Sequence, residues 1–167
     1  MYVEIITDDQ GHSGSGGPMS DTDTVQIWVN PDDITSPEDQ VTHWGEHVVF
    51  SSSNGNEMSI SDVDSDLEVK VTLSSLKGTL KLFTIEGLTF SEGDGIWDSK
   101  MIFRGSVWSI NAALDGLKFK PTETPPTDGY VEGSITMTAW WLDEEDELVA
   151  LINEETVGIT IYDKKDW

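Results

Sequence analysis

Apolar side chains recur at every second position through most of this chain. Val3, Ile5 and Thr7 fall on one face of an extended segment, and Val25, Ile27 and Val29 on one face of another. The same alternation runs through Leu67, Val69, Val71 and Leu73, through Leu80-Lys81-Leu82, Leu117-Lys118-Phe119 and Ile135-Thr136-Met137, and through Val157, Ile159 and Ile161. Successive side chains of a strand point to opposite faces, so each run predicts a strand with one buried and one wet face. The runs are short, rich in β-branched residues, and separated by Gly, Asp, Ser and Pro, which is the punctuation of a β-sandwich. One stretch breaks the period. Ser106 is placed to cap residues 107–115 and Gly116 to stop them, which predicts a crossover helix over about residues 106–115. The expected fold class is all-β with this single short helix.

Part of the pattern repeats. Asp23-Thr-Val-Gln-Ile-Trp-Val29 matches Glu155-Thr-Val-Gly-Ile-Thr-Ile161 at an offset of 132, and the same offset puts Val3 and Ile5 on Ile135 and Met137. Self-similarity at fixed spacing marks a tandem array. Residues 1–30 are therefore expected to be the terminal hairpin of a preceding module, 31–37 an acidic linker, and 38–163 a complete module ending in the same hairpin. A lone hairpin is marginal in water, so residues 1–30 must pack on the second module, pair with another chain, or stay disordered. Residues 10–20 read as a loop on composition.

Charge sharpens this picture. The net charge is −23, with 32 acidic residues against 9 basic ones. Residues 1–69 hold fifteen Asp or Glu and no Lys or Arg, residues 70–120 are near neutral, and residues 121–167 carry twelve acids against two lysines. Many acids of the first third are close pairs: Asp8-Asp9, Asp21-x-Asp23, Asp32-Asp33, Glu38-Asp39 and Asp62-x-Asp64-x-Asp66. Carboxylates this close repel one another unless a cation lies between them. Oxygen-rich clusters without cysteine suit a hard divalent ion, Ca²⁺ above all. A solvated acidic coat would spread along every exposed face instead. The charge also argues against nucleic acid and anionic membranes as partners. No apolar run reaches the roughly 18 residues of a membrane span, so no membrane insertion is expected. There are no cysteines to staple the fold, and 167 residues need no staple.

Four strings carry a resemblance: Val49-Phe-Ser-Ser-Ser-Asn-Gly-Asn56, Ile60-Ser-Asp-Val-Asp64, Gly87-Leu-Thr-Phe-Ser-Glu-Gly-Asp-Gly95 and Ile110-Asn-Ala-Ala-Leu-Asp-Gly-Leu117. They resemble the cadherin-like tandem repeats of giant bacterial surface adhesins and of related eukaryotic cell-surface proteins. Gly14-Ser-Gly-Gly-Pro-Met-Ser-Asp-Thr-Asp-Thr-Val25 resembles the closing hairpin of the same repeat. The likeness covers most of residues 1–121 and departs after Pro121, at Trp140-Trp141 and the run from Asp143 to Glu147. It implies an Ig-like, cadherin-like β-sandwich strung end to end, at the cell surface, with Ca²⁺ at module junctions. On that likeness Glu38 and Asp39 match the acidic pair after the linker, Asp62 and Asp64 match an Asp-x-Asp motif, and Asp8 or Asp9 ends a strand of the preceding module. The linker departs from the usual form, but Asp32 and Asp33 offer oxygens at nearly the same place.

The expected metal ligands are therefore Asp8, Asp9, Asp32, Asp33, Glu38, Asp39, Asp62, Asp64 and Asp66. Asp143, Glu144, Asp146 and Asp163 repeat the arrangement in rougher form, and read equally as ligands for a following module or as a solvated charged hairpin loop. The expected function is that of a non-enzymatic, Ca²⁺-stiffened structural or adhesive module of an extracellular filament or surface protein. Its expected partners are neighbouring modules or copies of the same chain, assembled head to tail. Two catalytic or metal motifs fail on inspection. An EF-hand starting at Asp62 has Leu67 at the glycine position and Leu73 at the bidentate glutamate. His43-Trp-Gly-Glu-His47 spells a zinc-peptidase pattern, but Gly45 and the strand-like Val48-Val49-Phe50 deny it the helix that the chemistry needs. The seven tryptophans open an alternative, carbohydrate binding. Trp97 and Trp108 are expected to pack in the core, whereas Trp140 and Trp141 must face opposite sides of a strand, leaving one exposed to stack on a sugar or a protein.

Overall fold

A computed structural model describes residues 2–8, 20–26, 33–61, 68–145 and 147–164. The chain divides into two compact units, Met1–Pro31 and Asp32–Trp167. The first is a hairpin in which β1 (Tyr2–Asp8) pairs antiparallel with β2 (Ser20–Gln26), from Tyr2 opposite Gln26 to Asp8 opposite Ser20.

The second unit comprises β3 (Asp33–Thr35), β4 (Gln40–His43), β5 (Val48–Phe50), β6 (Ser59–Ser61), β7 (Val69–Leu76), β8 (Gly78–Lys81), β9 (Thr89–Glu92), β10 (Ile96–Asp98), β11 (Lys100–Gly105), α1 (Val107–Leu114), β12 (Leu117–Pro121), β13 (Tyr130–Leu142) and β14 (Leu148–Tyr162). A six-stranded sheet, ordered β4-β14-β13-β7-β11-β9, packs on a four-stranded sheet ordered β10-β8-β12-β5, and β3 pairs with β6 beside them. The parallel contact of β4 with β14 is the exception among antiparallel ladders. This is an all-β sandwich with one short helix.

The alternating runs have their apolar faces inward. Val69, Val71 and Leu73 of β7, Ile135 and Met137 of β13, and Val157, Ile159 and Ile161 of β14 are fully buried. Leu80, Leu117 and Phe119 meet them from the other sheet. Each such side chain contributes about 1.5–3 kcal/mol by leaving water. Ser106 caps α1, its Oγ accepting the Ser109 N–H at 3.1 Å. The helix buries Ile110, Ala113 and Leu114, one stripe at helical spacing, and so closes one side of the core.

The long terminal hairpin has a counterpart in the first unit. Adding 132 to each residue turns the six pairs from Tyr2–Gln26 to Thr7–Asp21 into the six pairs from Ser134–Gly158 to Ala139–Asn153. Sequence likeness and strand register therefore share one offset.

Three expectations need correction. Asp33–Thr35, assigned to the linker, is a strand paired with Ser59–Ser61, and Ile34 is buried. A single apolar residue between acids and prolines carries no period, and its partner strand lies far along the chain. Trp108, expected in the core, is 78% exposed, because it stands about 200° around the helix from inward-facing Ile110. Trp97 is half-buried, with the Lys81 and Lys120 ammonium groups over its ring, on the outer side of the four-stranded sheet.

Gly78 sits against the ring of Phe119, where an added Cβ would lie 2.1 Å from Cε2. Gly78→Ala is expected to destabilise the fold by about 1–3 kcal/mol in urea unfolding. Combined with Phe119→Leu, which removes those ring atoms, its cost should fall well below the sum of the single changes. Loss of the helix cap in Ser106→Ala should cost about 1 kcal/mol in the same measurement.

Candidate functional site

Two backbone pairings bring together stretches that are distant in sequence and carry or adjoin acids. Asp33 opens β3 and stands opposite Ser61, the residue before Asp62. The chain is described again from Glu68, whose carbonyl accepts the Leu142 N–H at 2.9 Å. Leu142 ends β13 and leads into the acidic turn toward β14. That turn is tied by Asp143, whose Oδ1 accepts the N–H groups of Glu145 at 2.9 Å and Glu147 at 2.8 Å. An aspartate that binds its own backbone two residues on is the usual device for closing such a turn. Arg104 Nη1 approaches Glu68 Oε2 at 3.8 Å and brings one positive charge beside it.

Of the expected ligands, Asp9, Asp32, Asp62, Asp64 and Asp66 lie outside the described residues, as does Asp146. Asp8 ends β1 in the first unit. Glu38 and Asp39 lie elsewhere on the second unit. Ser36 Oγ donates to Glu155 Oε2 at 3.3 Å, and Asp39 Oδ1 accepts the Gly158 N–H at 2.8 Å, both contacts spanning 119 residues. Gln40 continues that offset opposite Ile159. The chain thus runs down β14 residue for residue, and roughly 3.3 Å per residue puts Asp39 about 20 Å from Asp33. Metal–oxygen bonds of about 2.3–2.6 Å cannot join the two at one ion. Asp39 instead ties the incoming strand to β14.

The C-terminal set also separates. Asp143 sits at the tip of the terminal hairpin and Asp163 just past the far end of β14, beside Gly129. The intervening strand is roughly 45 Å long. Asp143 and Glu144 therefore lie toward Glu68 and share no site with Asp163. Among the described residues, no group of three His, Asp or Glu side chains is placed to hold a metal ion. His43 and His47 flank a turn with Gly45 at φ +87°, not a helical face. His43 lies near Glu46, whereas the His47 ring lies 5.1 Å from that of Trp97.

The adjacent tryptophans do face opposite sides. Trp141 is in the core and Trp140 is half-buried, so neither offers a freely exposed ring. Among the described residues the exposed aromatics are Trp108, Phe83 and Tyr130 instead. Phe83 borders an open groove of about 530 Å³ lined also by Ser52, Asn54, Asp115 and Lys118. Sequence patterning gave no sign of this groove, because it joins three loops with no shared period. Among the described residues, no helix is long and apolar enough to cross a membrane.

Comparison with protein-family models found no match to this chain, and comparison with curated proteins found none either.

Proposed function

We propose that Asp33, Asp62, Asp64, Asp66, Glu68 and the acids of the 143–147 turn supply oxygens to bound Ca²⁺. On this reading the chain is a non-enzymatic, cadherin-like structural module of a repetitive extracellular surface or filament protein, stiffened by the ion. The observation that supports the proposal is a pair of contacts remote in sequence: Asp33 is set opposite Ser61, next in sequence to Asp62, and Leu142, which leads into the acidic turn, is set beside Glu68. At about 4 Å, two unit charges repel by about 1 kcal/mol in water and about 4 kcal/mol at an effective dielectric of 20. An ion that accepts six to eight oxygens removes this repulsion and fixes the segments that supply them. The common 132-residue offset of the two hairpins supports a tandem array. Glu38 and Asp39 are left out of the ligand set because of their place along β14.

Calorimetric titration of the whole chain with Ca²⁺, with thermal melts in Ca²⁺ and in chelator, tests this reading. Ca²⁺ at about a hundred times its Kd should raise the Tm by roughly 5–10 °C. Asp62→Asn with Asp64→Asn should abolish both the heat of binding and the shift. Asp39→Asn should lower the metal-free stability by about 0.5–1.5 kcal/mol and leave Ca²⁺ affinity unchanged. Absence of both heat and shift in the wild-type chain would overturn the proposal.

A further inference from the structure

We propose that the outer face of the four-stranded sheet, together with the groove beside it, binds an acidic polysaccharide. Lys81 of β8 stands directly opposite Lys118 of β12, and Lys120 follows two residues on, on the same face. Like charges placed opposite one another weaken a sheet, and positions i and i+2 are only about 7 Å apart. In a chain of net charge −23, three such lysines have carboxylates in plenty to draw on. Lys77, Lys100 and Arg104 take them, pairing with Glu123, Glu92 and Glu68. Among the described residues, Lys81, Lys118 and Lys120 are in no ion pair. The nearest acids on neighbouring segments are committed elsewhere. Asp98 Oδ2 accepts the N–H groups of Asp94 at 2.9 Å and Gly95 at 2.8 Å, and Asp115 Oδ1 accepts the Ser52 N–H at 2.8 Å.

Trp97 organises the cations. It lies at an irregularity in the pairing of β10 with β8, with φ at +60°, a conformation that a bulky residue seldom adopts. Bulges re-aim side chains, and here the ring holds the Lys81 and Lys120 ammonium groups 5.8 and 5.5 Å from its centroid. Lys118 belongs both to this face and to the groove, so the two are one surface. The groove adds the 72%-exposed ring of Phe83 and the polar groups of Ser52, Asn54 and Asp115. A pyranose has an apolar face for such a ring and hydroxyls for such polar groups, and a carboxylated or sulfated one supplies the anion for the lysines. The acidic surface of a second copy would meet the lysines but leave the hydroxyl- and amide-lined groove unused. The repulsion from the rest of the chain is confined by a Debye length of about 8 Å at physiological salt. The surface uses no residue of the proposed Ca²⁺ ligand set, so it stands independently of the Ca²⁺ reading.

The test is retention of the whole chain on immobilised polygalacturonate and heparin, as carboxylated and sulfated probes, with dextran as the neutral control. Chelator is present throughout, so failure of the Ca²⁺ reading has no bearing on the result. Retention is expected at 150 mM salt on at least one acidic probe, with loss at about 1 M as charges are screened. Lys81→Gln, Lys118→Gln and Lys120→Gln combined should raise the Kd at least about tenfold, and Lys77→Gln with Lys100→Gln should leave it unchanged. The single changes Lys118→Gln and Lys120→Gln, at exposed positions, serve if the triple variant does not fold. Wild-type protein that neither acidic probe retains, or lysine variants retained as well as wild type, would overturn the proposal. Salt-sensitive self-association in sedimentation without retention would also overturn it, and would assign the face to a second copy.

Discussion

The antiparallel ladder between β13 and β14 is the constraint on which the rest of the second unit depends. Its buried face runs from Ile135 to Trp141 on one strand and from Val157 to Ile161 on the other. Its edges are used by β7 on one side and β4 on the other. Because β4 joins in parallel at a constant offset, the path of the entering chain is set by this ladder, and Asp39 pins it with a hydrogen bond to Gly158. The tip of the same hairpin carries the acidic turn to the level of Glu68. One element thus supplies core, entry path and the acidic turn.

Charge in this protein is sorted by place as well as by amount. The terminal thirds hold most of the acids. The opposite case is the outer face of the smaller sheet, where Lys81 stands opposite Lys118 and the Lys81 and Lys120 ammonium groups lie over the Trp97 ring. Both arrangements oppose folding when considered alone, since like charges are brought together in each.

The metal motifs show how spacing in sequence misleads when the backbone is not yet known. Glu38-Asp39 and Asp32-Asp33 look like one ligand group because few residues separate them. The chain between them is extended along β14, so proximity in sequence becomes separation in space. The reverse holds for Asp33 and Ser61, which are remote in sequence and directly opposed in the structure. His43 and His47 differ again, since the turn at Gly45 sends each ring to a different neighbour.

The all-β class, the cores of the strands at Val69–Leu73, Leu117–Phe119, Ile135–Met137 and Val157–Ile161, and the capped helix were legible in the sequence. Period-two burial, β-branched side chains and an N-cap act over a few residues and leave local traces. The hairpin likeness was legible too, because a repeat writes the same register twice. Short strands such as Asp33–Thr35 were not, since three residues hold no period and their pairing energy comes from distant partners. Neither was the outward turn of Trp97, which an irregular pairing imposes, nor the meeting of Lys81 with Lys118. Local physics names the elements and the faces they bury. Which faces meet, and which charges are left facing water together, is decided by strand order and register, and these are set by the whole core at once.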